Sequence, residues 1–429
     1  MKKIVILATG GTIAGAGEQG KDIGYKSGSI EAQTLIDAIP ELKNVAHIFV
    51  EQVCNINSDD ITSEIWISLA RRIKELSENG FGDSHENVDG FVIMHGTDTM
   101  EETAFFLSLT LGGSAPSVAG NVAKPVILTG SMRPATAAEP DGPANLLFAV
   151  KSVVGLCERS VQESPDSTLS CPPSCPPGFI LFDHLELQLL CGHDPRMGTG
   201  SPSCVELSSQ THFRNHHLEN AENAVGVYVA FAGKLMDARF VQKIHANDLD
   251  AFEAISTAWS SRTLCPPGLS CPPSCHPGFI PGSPSCVEQS SRTQFRDYHL
   301  ENAKIAFDLS NLRELPRVSV LYFNADADAE LVRFAAERSA GLVIAGAGAG
   351  EFSRTWMNAV NEVVAGAKIP VVISTRINRG CIVPEQLLVP GTIAAYDLPP
   401  AKAAVLLRLA LTVTNDPEKI QKMFESSCT

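Results

Sequence analysis

The first apolar segment and the turn that follows it constrain the fold of this chain more than any other stretch. Residues 4–8 form an unbroken apolar run that ends in two glycines and Thr12. A short run of this kind, rich in β-branched residues, predicts a strand buried on both faces. Residues 91–94 form a second such run, which leads through a glycine to Thr97. Because ligands bind at the carboxyl ends of strands in open α/β sheets, we expect both threonines to line one site.

The rest of the chain continues this alternation of apolar runs and amphipathic segments. Strand-like runs lie at residues 48–53, 125–128, 226–231, 318–323, 341–345 and 371–374, and helical patterns at 61–76, 100–109, 143–154, 328–339, 354–367, 400–413 and 416–426. Residues 99–102 have the composition of a capping box at the start of one of these helices. Strands that alternate with helices predict an α/β fold with parallel sheets covered on both faces. We expect a large N-terminal catalytic domain over residues 1–257 and a smaller C-terminal α/β domain over 306–429.

Composition excludes several classes of protein. The chain has 429 residues, of which 44% are apolar, enough for two or three cores. Its net charge of −15, without any basic run, argues against nucleic acid and anionic membranes as partners. No apolar run approaches the 18 residues that a membrane-spanning helix needs, so we expect no transmembrane segment. The apolar run after Lys2 and Lys3 is too short for a signal peptide, so we expect a cytoplasmic protein or a mature form that has lost its signal.

Two cysteine- and proline-rich segments interrupt this pattern. Residues 170–175 recur at 270–275, and residues 200–206 recur at 282–288. We interpret them as duplicated insertions, the first over about 156–222 and the second over 258–305, where it includes the linker between the domains. The alternative is a metal site formed by cysteines and histidines, but the C-x₃-C spacing is not that of a zinc knuckle. We therefore predict no metal and no cofactor. The four cysteines outside these segments are scattered, which is typical of a reduced compartment.

The standard motifs for nucleotide binding, serine hydrolysis and zinc proteolysis are absent from the sequence. Threonine therefore remains as the candidate nucleophile. A threonine hydroxyl is a weak nucleophile unless a base removes its proton, and a lysine positioned by an acid can act as that base. Asp98 adjoins Thr97, but spacing alone does not identify the lysine. Residues 16–29 are polar and glycine-rich, which predicts a mobile lid with Tyr25 as its only aromatic residue.

Four stretches resemble signatures of the bacterial-type L-asparaginases. They are residues 9–15, 94–103, 130–134 and 141–143, and the resemblance extends over about 1–155, 223–256 and 304–429. It implies a homotetrameric L-asparagine amidohydrolase that needs no cofactor. Related alternatives are a glutaminase-asparaginase or an amide hydrolase for a larger substrate such as a charged transfer RNA. An alternative of another class is an inactive amino-acid-binding or interaction module.

The resemblance also implies a role for each matched catalytic residue. Thr12 would attack the side-chain amide carbon, and Tyr25 on the lid would assist its activation. Thr97, Asp98 and Lys243 would form a second triad. Backbone amides near Gly11 and Thr97 would stabilise the oxyanion.

The remaining implied roles concern substrate binding. Ser58 and Asp98 would hold the α-carboxylate and α-amino groups of the substrate, and Asp59 occupies the place of a Gln or Glu in the family. Asp326 would complete the site of a neighbouring subunit. Glu385 is a weaker candidate for a second acid from that subunit.

Overall fold

A computed structural model describes residues 1–22, 24–111, 122–162, 225–255, 307–310 and 312–427 of the chain. The repeated cysteine- and proline-rich motifs lie outside these residues, and so do the candidate metal ligands and the predicted boundary at 258–305. Those predictions remain open, as does the predicted division into domains.

The N-terminal part of the chain forms a six-stranded sheet within the described residues. The strand order is β2-β1-β3-β4-β5-β6, and every neighbouring pair is parallel except β5 and β6, which form an antiparallel hairpin. Predicted strands in this region are therefore present, with small shifts at their ends. The strands are β1 Lys3–Gly10, β2 His47–Ile56, β3 Gly90–Met94, β4 Val126–Thr129, β5 Val227–Phe231 and β6 Lys234–Asp237.

Helices cover both faces of this sheet because successive side chains of each strand point in opposite directions. Ile4 and Ile6 of β1 belong to one buried cluster, which includes residues of α1, α2 and α5. Val5 and Leu7 belong to another, which includes residues of α3 and α4. A strand buried on both faces reads as a continuous apolar run, which explains the pattern at residues 4–8. The helices are α1 Ala32–Asp37, α2 Leu42–Val45, α3 Ser63–Asn79, α4 Met100–Leu111 and α5 Gly142–Gln162.

The C-terminal part forms a second, four-stranded parallel sheet in the order β12-β11-β10-β9. Its helix α8 packs against α4 of the N-terminal part, so the larger of the buried clusters continues across both sheets. The elements are β9 Val318–Tyr322, α6 Glu330–Ala336, β10 Gly341–Gly346, α7 Arg354–Glu362, β11 Val371–Thr375, β12 Ile393–Ala394, α8 Pro400–Ala410 and α9 Pro417–Ser426.

The predicted α/β fold class is confirmed, and the differences are local. A short antiparallel pair, β7 Val241–Lys243 and β8 Phe252–Ala254, lies outside both large sheets and has too few residues to show a periodic pattern. The Thr99 hydroxyl, in the predicted capping box of α4, donates to the carbonyl of Ser58 at 2.8 Å, a contact that the sequence does not predict. Within the described ranges, none of the helices is both long enough and apolar enough to cross a membrane.

Candidate active site

The turns after β1 and β3 meet through their backbones. A Cβ added at Gly11 would lie 2.5 Å from the Cα of Gly96, a separation that side chains do not tolerate. Gly11 also has a φ of +79°, which favours glycine, and its N–H donates to the carbonyl of Ile56. Thr12 and Thr97 each follow one of these glycines. The structure therefore brings the two threonine-bearing turns into direct contact.

Tyr25 closes over the first of these threonines. Its hydroxyl lies 3.0 Å from the Oγ1 of Thr12. The ring packs so closely on Gly15 that an added Cβ there would lie 2.8 Å from its Cδ2. The described part of the lid is tied to the turn after β4, because the N–H groups of Gly17 and Gly20 donate to the side chain and the carbonyl of Thr136.

Lys243 reaches the second threonine from the end of β7. Its ammonium donates to Thr97 Oγ1 at 2.9 Å and to Asp98 Oδ1 at 2.6 Å. The Lys243 side chain is 15% exposed and that of Asp98 is 60% exposed, so the pair lies at the mouth of the site. The Lys243 backbone N–H donates to the Oε2 of Glu101 at 2.5 Å. The sequence does not single out Glu101, which shares the first turn of α4 with a second acid, Glu102.

Ser58 lies behind the second threonine turn, whereas Asp59 faces outward. Ser58 is 3% exposed, and its hydroxyl accepts from the N–H of Asp98 at 3.3 Å. An added Cβ at Gly96 would lie 2.7 Å from the Ser58 Oγ. Asp59 is exposed. Ser58 therefore belongs to the same cluster as Thr97 and Asp98.

Asp326 and Glu385 lie in the C-terminal part of the chain, and both are exposed. Asp326 has a left-handed backbone, with a φ of +60°. Across the described ranges, no hydrogen bond or ion pair joins either side chain to Thr12 or Thr97. The structure of a single chain thus does not bring these two acids into the site.

A buried chain of hydrogen bonds supports the second threonine turn. Trp66 Nε1–H donates to Thr103 Oγ1 at 2.8 Å, and the Thr103 hydroxyl lies 3.0 Å from His95 Nε2. The other ring nitrogen, Nδ1, lies 2.7 Å from the carbonyl of Gly96. Because a carbonyl only accepts, this network assigns the proton to Nδ1 and makes Nε2 the acceptor. Burial lowers the pKa of His95 to about 4, so the imidazole is neutral near pH 7.

The part of the chain that the structure describes holds no group of three or more His, Cys, Asp or Glu side chains arranged for a metal ion. Cys54 and Cys381, in the same part of the chain, are free thiols, and the Cys157 thiol donates to the carbonyl of Asp89 at 3.4 Å. Burial raises the pKa of the Cys157 and Cys381 thiols to about 11, which makes both poor nucleophiles.

Comparison with known proteins agrees with this arrangement. Residues 3–159 match the family model for the asparaginase N-terminal domain, and residues 317–424 match that for the glutaminase/asparaginase C-terminal domain. L-asparaginase 2 of Bacillus subtilis is 31% identical over 99% of this chain and 86% of its own length. Glutaminase-asparaginase of Pseudomonas fluorescens is 27% identical over 99% of this chain and 90% of its own length.

A solved structure agrees as well. The crystal structure of a probable cytoplasmic L-asparaginase from Campylobacter jejuni has 31% sequence identity and a TM-score of 0.65, and it covers 99% of this chain and 100% of its own. Fold and sequence together define an α/β amidohydrolase. The chain belongs to the asparaginase family, whose N- and C-terminal domains it matches in order.

The lowered pKa of His95 predicts that the protein loses stability as the solution becomes acidic. Below pH 6.5 the unfolded chain binds a proton that the folded chain does not bind until about pH 4. The free energy of unfolding therefore falls as pH falls through this window, by roughly 3 kcal/mol from this group. Denaturant unfolding of wild type and His95→Gln at pH 7.0, 5.5 and 4.5 measures the difference. Curves that run parallel across these pH values would contradict the assignment.

The contact between the two glycine turns predicts a steric effect at Gly11. Gly11→Ala combines an unfavourable φ with a collision against Gly96, whereas Gly20→Ala has a φ of +82° and nothing within 4 Å of the new methyl group. We expect Gly20→Ala to cost about 1–2 kcal/mol and Gly11→Ala to cost a further 1–3 kcal/mol or so. Equilibrium unfolding of both variants checks this. Equal losses would mean that the turns do not touch.

Proposed function

We propose that the protein is an L-asparagine amidohydrolase, which converts asparagine and water to aspartate and ammonia through a threonine acyl-enzyme. The observation that carries this proposal is the lysine bridge from Lys243 to Thr97 and Asp98, on a turn that packs against the Thr12 turn. Two hydroxyls, a lysine and a carboxylate at adjoining strand ends are the groups that an activated threonine nucleophile requires.

In the first half-reaction, Thr12 Oγ1 attacks the side-chain amide carbon of asparagine. As the C–O bond forms, the Thr12 proton passes to the Tyr25 oxygen, 3.0 Å away, and the Tyr25 hydroxyl passes its own proton on to the amide nitrogen. Backbone N–H groups near Gly11 and Thr97 stabilise the negative charge on the amide oxygen. The amide nitrogen, with this proton, then leaves as ammonia, which leaves a β-aspartyl ester on Thr12.

In the second half-reaction, a water molecule attacks that ester. The Thr97 hydroxyl takes a proton from the water as it passes its own to Lys243 Nζ, 2.9 Å away, and the Lys243 ammonium in turn gives one of its protons to the Asp98 carboxylate, 2.6 Å away. The C–O bond to Thr12 breaks, and the Thr12 oxygen takes the proton of the carboxyl group that forms. Aspartate then leaves, and Asp98 releases its proton to solvent.

The charges around the site fit an α-amino acid. Asp98 is 60% exposed although Lys243 contacts its Oδ1, so the carboxylate is accessible to a substrate ammonium group. The Ser58 hydroxyl accepts from the Asp98 N–H and can donate its own proton to the substrate carboxylate. We place Asp59 at the edge of this subsite. The exposed Asp326 would serve the site of a neighbouring subunit in a homotetramer.

Glutamine is the second candidate substrate, since two relatives named glutaminase-asparaginase match 99% and 98% of this chain in sequence, at 27% and 28% identity. Glutamine is one methylene longer, and the Asp59 side chain is shorter than the Gln or Glu that the resemblance leads one to expect.

The proposal also includes a cytoplasmic location and the division into domains at 1–257, 258–305 and 306–429.

The mechanism predicts that two substitutions abolish turnover. Thr12→Ala removes the attacking oxygen and Lys243→Met removes the base, so each should lower kcat for asparagine by at least ~10³-fold. Lys234→Met is a matched control, because Lys234 forms an exposed ion pair with Asp250 away from the threonines. Ammonia release from asparagine and glutamine, measured in parallel, gives the result. A wild-type protein without turnover would instead favour a binding module, and full activity of Thr12→Ala would refute the nucleophile.

A further inference from the structure

Lys402 is a lysine buried at the contact between the two parts of the chain. It lies on α8 and is fully buried. Its ammonium donates three hydrogen bonds, to the carbonyls of Ala238 at 2.8 Å, Arg239 at 2.8 Å and Val241 at 2.6 Å. An ammonium has three protons, so this set uses all of them. A lysine from the C-terminal part thus holds three residues of the N-terminal segment 238–241.

That segment leads directly to the lysine of the active site. Val241 begins β7, and Lys243 ends it. On the other side, the N–H of Lys243 donates to Glu101 on α4. The backbone that carries Lys243 is therefore held by one charged side chain from each of two packed helices, α4 and α8.

β7 needs this support because its own pairing is weak. It has three residues and pairs with the equally short β8, outside the six-stranded sheet. Short two-stranded hairpins are marginal by themselves. The Lys243 ammonium must nevertheless stay within hydrogen-bond distance of both Thr97 and Asp98. Displacement of a reacting group by about 1 Å can cost on the order of 10²-fold in rate.

The surroundings of Lys402 keep its side chain charged near pH 7. Lys402 is surrounded by carbonyls, and burial lowers its pKa to about 8 while Glu101, Asp237 and Asp397 act to raise it. A second contact from the same segment is the ion pair between Asp397 and Arg239, at 2.9 Å. The contacts of Lys402 and Asp397 both hold the segment that joins β6 to β7.

We propose that Lys402 is a positioning residue for Lys243: it fixes the 238–241 backbone across the domain contact and so sets the reach of the Lys243 ammonium to Thr97 and Asp98. Lys402 does not touch the substrate. This inference rests on the proposed role of Lys243.

The first test compares two core substitutions on α8. Lys402→Met keeps the length of the side chain but removes the three hydrogen bonds. Leu407→Ala is the control, because Leu407 is fully buried but faces Gly341 of the C-terminal sheet. We expect Lys402→Met to lower kcat for asparagine at least about tenfold with KM within about threefold, and Leu407→Ala to leave kcat within about twofold. Equal kcat values in the two variants, assayed below their unfolding transitions, would overturn the proposal.

The second test uses Glu101 and remains informative if Lys402→Met does not fold. Glu101→Gln retains an oxygen that can accept from the Lys243 N–H, whereas Glu101→Met does not. We expect Gln to keep kcat within about threefold and Met to lose at least about tenfold. Equal loss in both would show that charge, and not position, is what matters, and would overturn the proposal.

Hydrogen exchange supplies a readout that does not depend on activity. Exchange of the peptide spanning 238–244 should accelerate in Lys402→Met and stay unchanged in Leu407→Ala. Unchanged exchange in Lys402→Met would contradict the inference. Lys243→Met distinguishes a failure of the proposed function from a failure of the positioning role. If Lys243→Met retains turnover, the proposed function is wrong. If Lys243→Met is inactive but Lys402→Met is fully active, only the positioning role of Lys402 is wrong.

Discussion

The site depends on the close approach of two backbone turns. β1 and β3 are parallel neighbours in register from Ile4 opposite Gly90 to Ala8 opposite Met94, so both chains leave the sheet at the same edge. Gly11 allows the two turns to touch, because a Cβ at this position would lie 2.5 Å from the Cα of Gly96. Thr12 and Thr97 are the residues that follow these two glycines. The pairing of β1 with β3 thus brings the two threonine-bearing turns together.

The other functional groups are brought to this edge by less regular elements. Tyr25 comes from the lid and Lys243 from a short hairpin, and neither belongs to the large sheet. Buried charges around α4 and α8 hold the hairpin in place. Glu102 is the neighbour of Glu101 on α4, and burial, together with the charge of Glu101, raises its pKa to about 7. Such groups are costly to bury, which indicates that the contact between the two parts of the chain has a function beyond simple packing.

The sequence alone predicts the α/β class, most strands of both sheets and the meeting of the two threonine turns, because buried parallel strands leave continuous apolar runs. It cannot locate Lys243. That lysine follows no periodic pattern, and only its resemblance to a family identified it. The Thr99 hydroxyl makes a contact that its sequence context does not predict: it donates to the carbonyl of Ser58, a tertiary partner. The role of Lys402 is equally hidden in the sequence, since nothing in the sequence of a helix shows that one of its lysines is buried.

The central claim is that Thr12 carries the acyl group. Acid quenching of the enzyme during turnover of asparagine, followed by peptide mass spectrometry, tests it most directly. The account predicts a β-aspartyl ester on the peptide that contains Thr12, and its absence from the peptide that contains Thr97. An ester on Thr97, with Thr12 unmodified, would contradict it.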